Sequence, residues 1–225
     1  LLPIEQMGLS DDLYIKMNSR GKPLTPFEAF KARFEKVLDD SCPHRVSEFS
    51  IKIDGVWSDL LWRYRGGDFA IDDKFLRYFD FVTEVCEWCE DRFATGEIAC
   101  RADRVYGKSN THAARHINFL FQAFDTWVNL DIPALFIEVF ATQAQPDSSA
   151  ESKVVLFGQP DDDVDLFSAC CQSYGETRGR TRVFSWPQTI FLYAVLLHRI
   201  YQTHDFVGRL RILRNLVEAS GNELR

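Results

Sequence analysis

The sequence predicts a mainly α-helical protein, a helical bundle with a short N-terminal strand or hairpin. Three observations lead there. Apolar residues recur at three- and four-residue spacing through most of the chain. A helix-start signal, Thr25-Pro26-Phe27-Glu28, stands near the N-terminus. Two-residue alternation is clear in one stretch, from Asp12 to Asn18. The 225 residues include nineteen Phe and are 46% hydrophobic, a folding composition large enough for one big domain or two small ones.

In chain order, Leu13, Ile15 and Met17 alternate with Tyr14, Lys16 and Asn18, the pattern of a half-buried strand. Ser19-Arg20-Gly21-Lys22-Pro23 reads as a turn with glycine free to take positive φ. Thr25 and Glu28 then form a capping box with Pro26 at the first helical position, and Phe27, Phe30, Phe34 and Leu38 continue along one face. Further helices are expected over about Gly55 to Tyr64, Asp72 to Phe93, Thr111 to Val128, Pro133 to Ala141, Asp163 to Ser173, Pro187 to Gln202 and Asp205 to Ala219. In the second of these Phe75, Phe79, Val82, Cys86, Cys89 and Phe93 form one stripe. In the last, Phe206, Leu210, Leu213 and Val217 point inward, with Arg211, Arg214 and Glu218 opposite. Residues 143–153 are polar and unpatterned, a loop or a boundary between two helical subdomains.

A formal charge of −7 excludes a surface that is basic throughout, so a polyanion would have to meet a local patch. The longest apolar run, Ile190 to Leu197, is short of the roughly 20 residues that span a bilayer, and a soluble protein without membrane contact is expected. Six irregularly spaced cysteines read as reduced thiols of a cytoplasmic protein. The chain opens without Met on apolar residues, as a segment cut from a longer protein would.

The stretch from Asp11 to Lys31 resembles the Asn-x-Arg-Gly-x-x-Leu motif of the GmrSD-type restriction-enzyme family, with Asn18, Arg20, Gly21, Leu24, Glu28 and Lys31 matching position by position. Gly55 to Trp62, followed by Ile71 to Phe75, is similar to the tryptophan-rich stretch of that family. Arg209 to Val217 resembles its recurring arginine helix. The resemblance implies that residues 1–40 are the C-terminal piece of an α+β ParB-like domain, with 41–225 a helical domain. It also implies an NTP-dependent restriction endonuclease as parent, with NTP and Mg as its cofactors. The family's Asp-Gly-Gln-Gln-Arg segment is absent, and the five histidines form no His-Asn-His nuclease pattern. The chain alone is therefore expected to be non-catalytic and to need no cofactor, its partners being DNA, NTP, or a further copy or partner chain supplying the missing domain.

Two candidate sites follow. Lys16, Asn18, Arg20, Gly21 and Lys22 stand on a strand and turn before a helix N-terminus, where cations and backbone N–H groups suit a phosphate. The bland alternative is a surface turn that caps the helix. Arg178, Arg180 and Arg182, interleaved with Gly179 and flanked by Tyr174, Phe184 and Trp186, suit a nucleic-acid backbone with stacked bases, against the alternative of a solvated loop.

Other motifs read as structural. Cys86-x-x-Cys89 has no second cysteine pair and sits on an apolar stripe, so buried thiols are expected and no metal; Cys170-Cys171 reads the same way. His112 and His116 stand at i and i+4, but a capping or surface role is the expectation. Asp161, Asp162, Asp163 and Asp165 are expected to cap a helix. Three functions stay open: a non-catalytic helical sensing or interaction region of a DNA-restriction or antiphage-defence protein, a nucleotide-binding component completed by a partner, and a helical protein-interaction scaffold.

Overall fold

A computed structural model describes residues 24–66, 71–92, 95–141, 153–156 and 164–221. Its architecture is mainly helical with two small two-stranded sheets. The helices are α1 (Pro26–Ser41), α2 (Val46–Asp54), α3 (Val56–Trp62), α4 (Asp72–Trp88), α5 (Ile98–Tyr106), α6 (Ala113–Asp125), α7 (Ile132–Val139), α8 (Leu166–Ser173), α9 (Trp186–Tyr201) and α10 (Phe206–Gly221). The strands are β1 (Phe140–Ala141), β2 (Val154–Val155), β3 (Thr177–Arg178) and β4 (Thr181–Arg182). The expected N-terminal strand and the phosphate-binding turn with Lys16, Asn18, Arg20, Gly21 and Lys22 lie outside the described residues.

The helix starts follow side-chain chemistry. The Thr25 hydroxyl accepts from the Glu28 amide at 3.1 Å, and the Glu28 carboxylate accepts from the Thr25 amide at 2.7 Å, so the capping box is formed. A second box, Ser185 with Gln188 and Pro187 just inside, opens α9. Asp165 caps α8 through the Ser168 amide, while Asp161, Asp162 and Asp163 are not among the described residues.

Helix α4 is the axis of the core, packing against α1, α3, α5, α6 and α8. That contact all round explains why it buries more than the stripe seen in the sequence. Phe75, Phe79, Val82 and Cys86 are buried on one side, and Tyr78, Phe81 and Val85 on the other. Cys89 departs from the expectation: as the C-cap residue of α4 it is exposed. Around α4 the core is aromatic. Phe34 meets Phe49, Phe79 and Tyr106 edge-on with centroids 4.9–5.4 Å apart, geometry that adds about 0.5–1.5 kcal/mol per pair beyond burial.

Helices α2 and α5 were not foreseen. Only Phe49 and Ile53 of α2 are buried, and the buried face of α5 includes the charged Arg101, so neither shows an apolar period long enough to read. The helix expected to reach Ala141 stops at Val139. Phe140 turns extended at φ −116°, ψ 155°, and with Ala141 pairs in parallel with Val154 and Val155. In α10, Leu210 is buried and Phe206, Leu213 and Val217 are half-buried, as the period implies, but Arg214 reaches back to the Val155 carbonyl. Among the described residues, no helix is long and apolar enough to cross a membrane.

Candidate functional site

Three acidic residues of α4, Asp80, Glu84 and Glu87, recur at four- and three-residue spacing and so share a face. Glu84 and Glu87 are buried, which ionised carboxylates tolerate only with partners. Arg101 from α5 supplies one. Its guanidinium Nη2 and Nε donate to Glu87 at 2.8 and 3.0 Å, and Nη1 donates to Asp80. Arg182 from β4 supplies the other, donating to both oxygens of Glu84 at 3.0 and 3.1 Å, while the Tyr174 hydroxyl donates to the same carboxylate. Burial raises the Asp80 pKa, offset in part by Arg101 and raised again by Glu84.

An acid whose folded pKa lies above its unfolded value disfavours the fold while ionised, and that penalty fades as the pH falls through the folded value. Lowering the pH from 7 toward the ordinary carboxylate range is therefore expected to stabilise the native protein relative to its Asp80→Asn variant. Urea midpoints at several pH values test this, and a gap between the two proteins that does not change with pH would contradict it.

The segment 177–182, expected as loop, is an antiparallel hairpin. Thr177 pairs with Arg182 and Arg178 with Thr181, leaving Gly179 and Arg180 as the two-residue turn. Gly179 at φ +64° supplies the left-handed first turn position that a β-carbon would strain. The chain leaves α8 at the extended Tyr174 and enters the hairpin through a tight turn whose third residue, Gly175 at φ +78°, takes the positive φ that a type II turn requires.

This geometry separates the three arginines. Arg178 and Arg180 are exposed at the hairpin tip. Arg182 is half-buried, its guanidinium 5.0 Å from the Tyr174 ring and 4.2 Å from the Trp186 ring. Burial alone would lower its pKa, but the Glu84 hydrogen bonds and the nearby negative groups outweigh that and raise it. Arg182 thus anchors the hairpin, and the other two project from it. Trp186, at the first position of α9, is half-exposed beside the anchor and lies 5.7 Å from Trp88, ring to ring.

On another side of α4 lies a cavity of about 570 Å³ between α4, α6 and α9. Its α9 wall is Tyr193, Leu197 and Tyr201, spaced at four residues. Its α6 wall carries Ala114, Asn118 and Gln122 at the same spacing, with Phe119 set edge-on to Tyr193 at 6.4 Å. Cys86 and Cys89 belong to the α4 side.

His116 also lines this cavity, and here the structure corrects the surface role expected of it: the residue is 4% exposed. Its Nδ1 stands 3.3 Å from the Val105 carbonyl, which can only accept, so Nδ1 carries the proton and Nε2 the lone pair. Burial, the largest effect, lowers the His116 pKa, so the ring is neutral near pH 7. His112 is exposed at the N-cap of α6 and makes no side-chain cap bond.

Cys86, Cys170 and Cys171 are buried, and burial raises the pKa of each thiol, the opposite of what a nucleophile needs. Among the described residues, no group of three or more His, Cys, Asp or Glu side chains is placed to hold a metal ion. The acidic ladder could have been noticed as Asp80, Glu84 and Glu87 on one helical face. Nothing local in the sequence pairs it with Arg101 or Arg182. Comparison with protein-family models, with curated proteins and with solved structures returned no match.

Proposed function

We propose that this chain is a non-catalytic helical region of a DNA-restriction or antiphage-defence protein, as the likeness of residues 11–31 implies, and that it contacts the nucleic-acid backbone through Arg178 and Arg180. One observation carries the reading: a hairpin pinned by the Arg182–Glu84 pair holds two exposed arginines outward at its tip. A pinned hairpin gives up little conformational freedom on binding, which favours association. Glu176, the nearest acid in sequence, is held by Arg77 at 2.5 Å and so offsets the tip less than a free carboxylate would. In a chain of charge −7 such a tip is a local positive feature, the kind of patch that phosphate contact requires. Arg182 supports the contact indirectly, by fixing the hairpin.

Filter retention of duplex and single-stranded DNA across a salt series tests the proposal. Each neutralised phosphate contributes about 0.7–0.9 to the slope of log affinity against log salt, so the Arg178→Ala/Arg180→Ala variant is expected to lose about 1.4–1.8 of it. Retention and slope equal to those of the native chain would refute the assignment.

A further inference from the structure

We propose that the cavity between α4, α6 and α9 is a binding site for an uncharged, planar heteroaromatic molecule that donates a ring N–H to His116 Nε2. The proposal is independent of the nucleic-acid reading, since it concerns a different face of α4. Four observations carry it. The volume, about 570 Å³, falls in the range of small-molecule pockets. One side of the cavity is aromatic and aliphatic, where Phe119, Tyr193, Leu197 and Tyr201 offer flat and apolar surface to a planar ring, while Asn118 and Gln122 make the α6 wall polar. Among the described residues no acidic side chain lines the cavity and Arg115, the one cationic lining residue, is exposed, so none of them calls for a charged occupant.

The fourth observation concerns polarity. His116 is nine-tenths buried, and its Nε2 has no hydrogen-bond partner among the described residues. The Nδ1 edge is turned to α5, with the Glu90 carboxylate 3.7 Å away reinforcing the proton there. The Nε2 edge is what remains for the occupant of the cavity that the ring lines. A ring N–H brought by a ligand exchanges a bond to water for a direct one to Nε2, a modest net gain. Neither Cys86 nor Cys89 is hydrogen-bonded to His116, so the histidine acts as an acceptor for a ligand and not as the base of a thiol pair. The exposed Cys89 thiol, which lines the same cavity, reports on its occupancy.

Indole is a suitable probe, with 1-methylindole as the same ring lacking the donor. Titration of the full chain, followed by saturation-transfer NMR, is expected to show indole binding about five- to tenfold more tightly, the worth of one hydrogen bond. In His116→Phe the two probes should bind alike. In Leu197→Trp, which fills the cavity and leaves His116 in place, neither should bind. Iodoacetamide labelling of Cys89 should slow in saturating indole while that of Cys100, exposed on α5 and outside the cavity, does not. Equal affinity of the two probes for the native chain overturns the proposal. So does indole binding that survives Leu197→Trp or leaves Cys89 labelling unchanged, and so does an absence of indole binding at millimolar concentration.

Discussion

Replacing Arg101 with alanine is expected to cost the fold about 3–5 kcal/mol, because it leaves Glu87 charged and buried with only the exposed Arg104, 3.6 Å away, as countercharge. Arg101 is 5% exposed and Glu87 2%, so water can replace the guanidinium only poorly. The same guanidinium holds Asp80, one turn from Glu84, so its removal leaves three acids on one helical face with Arg182 on Glu84 and the exposed Arg104 on Glu87 as the remaining countercharges. Burial already raises the Asp80 pKa with Arg101 present, and without Arg101 the rise should be larger. Urea unfolding followed by far-ultraviolet circular dichroism measures the loss at pH 7. The deficit should narrow as the pH is lowered and the stranded carboxyls take up protons. An Arg101→Met/Glu87→Met double variant should recover part of the loss, since both charges leave together. A deficit below about 1 kcal/mol in the single variant would mean that the ion pair is solvated and the network no more than a surface feature.

A comparable loss, about 3–5 kcal/mol, is expected for Trp127→Ala. The indole is fully buried and packs on Phe136 and Phe167, with centroids 6.1 and 5.1 Å away. Its Nε1 donates to the Tyr78 hydroxyl at 2.6 Å, and that hydroxyl donates to the Ala123 carbonyl at 2.8 Å. The relay ties α4, the end of α6 and the segment leading to α7 together at a fully buried point. Alanine would therefore leave a large void as well as an acceptor without its donor. Tyr78→Phe separates the two effects. It keeps the aromatic volume and strands the Trp127 N–H, for an expected loss of about 1–3 kcal/mol. Thermal melts of the three proteins give the ordering directly. If Tyr78→Phe matched the native protein, the relay would contribute nothing and packing alone would account for Trp127.

Much of the helical layout was legible because helix starts and amphipathic faces are local properties. Thr25, Pro26 and Glu28 specify the start of α1 by their own hydrogen bonds. Phe75, Phe79, Val82 and Cys86 mark one side of α4 whatever packs on it. The failures have a common cause. Helix α5 was hidden because Arg101 occupies a buried position that an apolar stripe would have filled. Cys89 looked buried because the stripe was extended past the point where α4 ends. His116 looked superficial because one histidine on a helix carries no sign of the carbonyl, Val105, that accepts its proton from the neighbouring helix.

Composition and periodicity by themselves determined that this chain is a mainly helical protein, since apolar residues recurring at helical spacing through most of the chain leave few other ways to bury them. What each polar residue does was decided only in three dimensions. Arg178, Arg180 and Arg182 are equivalent as letters, and a two-residue turn makes two of them exposed and one an anchor. The difference arises because the energy of a charge depends on what surrounds it. For Arg182 those surroundings are the flanking Tyr174 and Trp186 together with Glu84, which the fold brings from α4.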